Sequence, residues 1–130
     1  GEPRDRGAPL VGLRRLVEEH FAHHLRVADF ASQLGISSDR LHAICTRTLK
    51  RTPSELIQQR LVQEAVLRLE ASSAPVKQIA FALGFKDTAY FSRFFAKHTG
   101  QSPRNWRIKV GDRAEAQRAS STKLQFADWP

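Results

Sequence analysis

The chain repeats itself once, and that repeat limits the folds open to it. Val27, Ala31, Leu34 and Gly35 return 49 residues later as Val76, Ala80, Leu83 and Gly84. Beyond the glycine the offset becomes 50: Leu41 pairs with Phe91, Arg47 with Lys97, and Thr52-Pro53 with Ser102-Pro103. Turns take insertions far more readily than helices do, so the one-residue slip locates a turn just after each glycine. Each copy then reads as a short helix, a turn and a second helix. In the first copy, apolar residues at 27, 30, 31 and 34 recur at helical spacing, and Gly35 supplies the positive φ that ends a helix. Ser37 or Ser38 caps the next helix, which runs through Leu41, Ile44, Cys45 and Leu49. In the second copy, Pro75 suits the first helical position, and Val76, Ile79, Ala80 and Leu83 form the buried stripe. Gly84 stops that helix, and Asp87 caps another that turns Phe91, Phe94 and Phe95 inward.

Thr52-Pro53 opens a longer element. Ile57, Leu61, Ala65 and Leu69 form an apolar ladder at spacing four, and Arg60, Glu64 and Arg68 can pair along the wetter side. Seventeen residues of helix from Ser54 to Glu70 would span roughly 25 Å, enough to hold two units in fixed relation. The fold expected is therefore all-α, two tandem helix-turn-helix units joined by a long connecting helix. The first unit covers about residues 10–52, the connecting helix about 53–71 and the second unit about 74–109. Ser102-Pro103 opens a last short helix whose Trp106 matches Leu56 and docks on the second unit. Residues 1–9, charged and rich in Gly and Pro, read as a linker from an upstream domain or a cloning scar. Residues 111–130 read as a weakly structured tail with an apolar patch of Leu124, Phe126 and Trp129.

Charge narrows the function. The net charge of +8 falls in two blocks. Residues 36–52 carry four basic groups against Asp39, and residues 74–110 carry seven against Asp87, while the segments around them are near neutral. Each block contains the second helix of one unit. A helix-turn-helix lays that helix in the major groove of DNA with its early residues at the base edges. The helix after Ser37 offers Asp39, Arg40, His42 and Arg47, and the helix after Asp87 offers Thr88, Ala89, Ser92, Arg93 and Lys97. Arg93 is the strongest base reader, since a guanidinium bonds guanine O6 and N7 together. Lys50, Arg51, Lys86 and Lys97 suit phosphates, which give affinity and register without sequence information. The partner expected is double-stranded promoter DNA.

Other chemistries find little support. His20, His23 and His24 stand at i, i+3 and i+4, a spacing that could begin a metal-dependent hydrolase site, but no cysteine or carboxylate is placed to complete it. Histidines also suit a helix C-terminus, so a structural role is expected and no metal or cofactor. Cys45 sits on the apolar face and reads as a small buried hydrophobe. One cysteine cannot form an internal disulfide, which fits a reducing cytoplasm. There is no phosphate loop, nucleophile elbow or paired-cysteine motif, so no enzyme is expected. No apolar run approaches the ~18 residues of a membrane span. The phenylalanines follow the buried stripe rather than forming an exposed platform for single strands. An architectural DNA binder with little sequence preference stays open, as does a protein-interaction role for the Leu124/Phe126/Trp129 tail.

The stretch Ile79-Ala80, Gly84-Phe85, Tyr90-Phe91-Ser92-Arg93-Phe94-Phe95, Thr99-Gly100-Gln101-Ser102-Pro103 and Trp106-Arg107 resembles the signature of the AraC/XylS transcription regulators. The first half is similar in Leu41, Thr52-Pro53 and the Arg60-Leu61 to Ala65 run. The resemblance covers roughly residues 10–110. It implies promoter binding, contact with RNA polymerase, usually to activate, and in most members a separate effector-binding or dimerising domain upstream. Carried over position by position, the base-facing residues would be Asp39, His42 and Ala43 in the first unit and Thr88, Ala89 and Arg93 in the second. The chain departs from the family's usual residues at Ala43, where an arginine is common, at Cys45, where a large apolar residue is common, and at Lys50, where glycine is common. With no donor at Ala43, the first unit would read through Asp39, Arg40 and His42, or hold mostly phosphates.

Overall fold

A computed structural model of the chain describes the backbone of residues 7–127 and the side chains of residues 8–119. Its elements are α1 (Gly7–His20), a 3-10 turn (Phe21–His23), α2 (Val27–Gln33), α3 (Ser38–Leu49), α4 (Pro53–Ala71), α5 (Val76–Ala82), α6 (Thr88–Thr99) and α7 (Pro103–Ala127). Among the described residues there is no strand. The two helix-turn-helix units are α2–α3 and α5–α6, with α4 between them.

The repeat is visible in the hydrogen bonds. After α2, the Ile36 N–H donates to the Ala31 carbonyl and the Gly35 N–H to Ser32, both at 3.1 Å, across Gly35 at φ +70°. After α5, Phe85 donates to Ala80 and Gly84 to Phe81, both at 3.0 Å, across Gly84 at φ +84°. These are the paired bonds of a Schellman ending, which satisfy carbonyls the helix leaves open. The next helix starts on a side-chain cap in both copies: Arg40 N–H donates to Ser37 Oγ at 3.1 Å, and Tyr90 N–H to Asp87 Oδ1 at 2.6 Å. The Schellman endings match at offset 49 and the caps at offset 50. The inserted residue is therefore Lys86.

α4 starts on a reciprocal capping box, in which Glu55 N–H donates to Thr52 Oγ1 and Thr52 N–H to Glu55 Oε1, each at 3.1 Å. Backbone donation to the Glu55 carboxylate lowers its pKa. The helix packs against α1, α3, α5, α6 and α7. Its first half, with Leu56 and Ile57, lies against a core of Leu13, Leu16, Val17, Phe30, Ala31, Leu41 and Cys45. Its later residues Leu61, Ala65 and Leu69 belong to a second core with Ile79, Ala80, Leu83, Phe85, Phe91 and Phe95. Phe21 packs against both cores.

Above Phe21 lies an ion-pair chain. Arg60 Nε donates to Glu18 Oε1 at 2.6 Å and Arg60 Nη2 to Glu64 Oε1 at 3.1 Å; Arg68 Nε reaches Glu64 Oε2 at 3.0 Å. The Arg60 guanidinium stands 4.4 Å from the centre of the Phe21 ring, a cation–π distance. The pairing expected along α4 is present, and the link to Glu18 on α1 extends it across two helices.

Several ends differ from the sequence expectation. α1 begins at Gly7 rather than near residue 10, because Pro9 falls in the first turn, where its missing N–H has no helical partner to lose. Pro75 precedes α5 as its N-cap instead of occupying its first position. Phe94 is half-buried, while Phe91 and Phe95 are fully buried. The last helix is long, not short. Residues 111–119 are mostly exposed, but Ala, Glu, Gln and Arg favour helix and no proline interrupts, so the backbone stays helical to Ala127 through a segment expected to be weakly structured. The side chains of Leu124, Phe126 and Trp129 lie outside the described residues.

Two predictions follow from these contacts. A Cβ at Gly35 would meet nothing within 4 Å, whereas one at Gly84 would come 2.0 Å from the Ala22 carbonyl oxygen. Gly35→Ala should cost about 1–2 kcal/mol of left-handed strain. Gly84→Ala should add an overpacking cost of roughly 1–3 kcal/mol, so urea midpoints that fall equally in both variants would contradict this close approach. The second concerns acid. The Arg60 hydrogen bond holds the Glu18 carboxyl below its ordinary value of 4.5. A depressed folded-state pKa stabilises above the unfolded value, and that stability is lost as pH falls through the folded one. Denaturant midpoints should decline less steeply below pH 4.5 in Glu18→Gln than in the parent, and parallel profiles would show that the pair is not felt.

Candidate nucleic-acid interface

The apolar stripes of α3 and α6 decide which side chains are left outside. Leu41 and Cys45 bury one face of α3, and Phe91 and Phe95 bury the matching face of α6. Cys45 is fully buried, and burial raises its thiol pKa, as suits a core residue rather than a nucleophile. On the open face of α3, Asp39, Arg40, His42 and Arg47 are exposed and Ala43 is half-buried. On α6, Ala89, Arg93 and Lys97 are exposed at spacing four, Thr88 is half-buried in the first turn, and Lys86 is exposed just before it. By the repeat, Asp39, Ala43 and Arg47 correspond to Ala89, Arg93 and Lys97. The two strips share a position in the fold and differ in chemistry.

Two of the cations have partners inside the chain. Lys50 Nζ donates to the Arg47 carbonyl at 3.1 Å, and Arg51 Nη1 to Gln59 Oε1 at 2.7 Å. Both residues remain exposed. Lys50 also has the left-handed backbone, at φ +59°, that its repeat partner Gly100 takes at φ +81°. The place where glycine is the common choice is therefore strained by a lysine.

Two structural roles escape a reading by spacing. Arg107 belongs to the second basic block, yet its guanidinium is turned inward, with Nε donating to the Leu69 carbonyl at 3.1 Å, Nη1 to Ala74 at 2.6 Å and Nη2 to Ser72 at 3.2 Å. It closes the carbonyl-rich end of α4, where a cation is favoured. The available signal was its repeat partner, the apolar Ile57, since a cation at an inward position needs an internal acceptor. Trp106 docks beside it, edge-on to Phe95 at 5.7 Å, with Nε1 donating to Glu70 Oε2 at 3.2 Å. His24 is the other case. Its Nε2 donates to the Leu83 carbonyl at 2.9 Å, from the end of the 3-10 turn to the end of α5. His20 and His23 face each other with Nδ1 atoms 2.9 Å apart. Among the described residues, no three His, Cys, Asp or Glu side chains are grouped to hold a metal ion.

Two helix-turn-helix units, each with a basic polar strip on its second helix and both mounted on one shared helix, define a double helix-turn-helix DNA-binding domain. A family profile described as a helix-turn-helix domain matches residues 30–109. The chain is 25% identical to an AraC-type DNA-binding-domain protein from Chromobacterium violaceum, with a TM-score of 0.72 over 80% of this chain and 93% of that one. It is 30% identical over 106 residues to the HTH-type transcriptional activator RhaS of Klebsiella pneumoniae, covering 82% of this chain and 38% of the relative. The DNA-binding domain of AdpA, solved with a target DNA, shares the fold, with a TM-score of 0.73 at 22% identity over 81% of this chain and 95% of that one. This chain belongs to the AraC-type helix-turn-helix family, a family of DNA-binding domains without enzymatic activity. It spans about a third of the length of several regulators it matches, and 7% of a histidine kinase. Among the described residues no helix is long and apolar enough to cross a membrane.

Lys50→Gly separates strain from charge. Relief of the left-handed lysine, about 1–2 kcal/mol, should exceed the added unfolded-state entropy of glycine, about 0.5–1 kcal/mol. A denaturation midpoint that falls on this substitution would show that the Lys50–Arg47 cap outweighs the strain.

Proposed function

We propose that this domain is the sequence-reading part of a promoter-binding transcription activator, and that a single chain lays α3 and α6 in successive major grooves of double-stranded DNA. The observation that carries the reading is the matched pair of outward strips. The same repeat positions that bury Leu41/Cys45 and Phe91/Phe95 leave polar and cationic residues outside on both helices. Base edges are assigned to Asp39, His42 and Ala43 in the first unit and to Thr88, Ala89 and Arg93 in the second. Phosphates are assigned to Arg40, Arg47, Lys50, Arg51, Lys86 and Lys97. Arg107, engaged with carbonyls, takes no part. RhaS of Klebsiella pneumoniae and RhaR of Cronobacter sakazakii, both similar to this chain, are transcriptional activators, which supports activation here; RNA polymerase is the partner and the cytoplasm the compartment that this reading assigns. The greater length of the relatives supports a further effector-binding or dimerising domain in the intact regulator. In vitro transcription on the bound promoter tests this part, since transcript must rise with regulator and not fall.

Two unlike units in one chain call for an asymmetric site, with two contacted segments about 10 base pairs apart. In vitro selection from random DNA should return such a site, and a perfect palindrome filled by two chains would refute it. Affinity should fall with salt at a log–log slope on the order of −5. Arg93→Ala should cost roughly 1–3 kcal/mol on the selected site and relax discrimination at one or two base pairs. Arg93→Lys should recover affinity only partly, because an ammonium lacks the planar fork. Equal losses on selected and scrambled DNA would reassign Arg93 to a phosphate and leave Thr88 as the next reader.

A further inference from the structure

We propose that the joint formed by residues 21–24 against the end of α5 gauges the spacing between the two DNA segments, and that His24 is its positioning residue. The inference rests on the groove-reading function above and adds what sets the geometry of that reading.

Two bodies mounted on one rod can still bend and turn about it unless a second contact, away from the rod, holds them. α4 is the rod, shared by both cores. The second contact is the 3-10 turn, whose segment lies upstream of both repeat copies. The His24 ring donates from Nε2 to the Leu83 carbonyl at 2.9 Å and stands edge-on to Phe85, with centroids 4.8 Å apart. His24 holds the left-handed backbone, φ +56°, that aims it there. From the other unit, Gly84 presents a bare Cα: a Cβ there would come 2.0 Å from the Ala22 oxygen and 2.7 Å from the His24 ring. Beside this contact the units part around a cleft of about 380 Å³ that runs between Arg26 and Leu25 on one wall and Tyr90 and Phe94 on the other. Space for the units to close or open therefore exists, and the joint is what holds one setting.

α6 starts four residues after Gly84, so the angle held at this joint carries directly to the second recognition helix. On DNA, one added base pair moves the second segment by about 3.4 Å along the axis and roughly 35° around it. A rigid joint must reject that displacement, and a loosened one must tolerate it. Side chains that touch bases have no such effect on spacing.

The test measures binding of the parent and variants to the selected site and to the same site with one base pair added or removed between its segments. The parent should bind both altered sites at least about tenfold more weakly. His24→Ala should shrink that ratio to within about threefold, chiefly by losing affinity for the best spacing. His24→Gln, whose terminal amide N–H reaches the position of Nε2, should keep most of the parent ratio. Arg40→Ala, which removes a contact of the first unit that is made at every spacing, should bind more weakly everywhere with the ratio unchanged. Binding is read at a temperature where circular dichroism shows each variant folded. Gly84→Ala probes the same contact from the second unit and decides the matter if His24→Ala does not fold. Parent-like spacing ratios in the folded variant overturn the gauge while leaving groove reading intact. Failure of the parent to prefer any two-segment site overturns both.

Discussion

The Phe21 ring touches the cores of both units at once, beneath the Arg60 guanidinium and beside the first half of α4. Neither unit is large enough to be indifferent to this. Each core contains only seven to nine buried residues, and α4 contributes apolar residues to both. A small core is marginal when alone, since burial grows with size faster than the exposed surface does. Sharing one helix lets each unit cover the face the other would leave open. Arg60 reinforces the arrangement by tying α4 to α1 through Glu18 while lying over Phe21.

On that common frame the two copies have diverged where the fold permits. The positions that pack apolar side chains inward keep their character: Leu41 and Phe91, Ala31 and Ala80, and the half-buried Leu34 with the buried Leu83. The positions that face outward do not. Ala43 stands where Arg93 does, Asp39 where Ala89 does, and Ser32 where the exposed Phe81 does. Packing density constrains the first set because a core tolerates little change of volume. Solvent places no such limit on the second, which leaves it open to change with a ligand.

Lys50 and Arg107 show the two ways in which this division is crossed. At Lys50 an outward cation takes a backbone conformation natural to glycine, so local strain is retained beside a basic strip. At Arg107 a cation takes an inward position natural to an apolar side chain. It is accommodated because the end of α4 and the following loop supply three carbonyl acceptors. A half-buried guanidinium without such acceptors would be costly.

The helices of the two units, the glycine stops of α2 and α5 and the caps of α3, α4 and α6 were legible in the residues, because these are local events. A glycine at positive φ, a Ser, Thr or Asp before a helix and an apolar residue every third or fourth place each act within one or two turns of chain. The repeat added register and pointed to a tandem architecture, and the shift from 49 to 50 placed the turn. The long continuation of α7 is not legible because apolar spacing marks the helices that pack, whereas residues 111–119 are mostly exposed and stay helical on local propensity. The outward strips were legible as the complement of the buried stripes. What only the tertiary structure decided was how distant segments meet: Glu18 with Arg60, Arg107 with the end of α4, and His24 with Leu83 across 59 residues. Gly35 and Gly84 are alike in sequence and in φ, yet one faces open space and the other a carbonyl oxygen. Local sequence sets the conformation of each glycine, but only the packing of one unit on the other determines what stands opposite it.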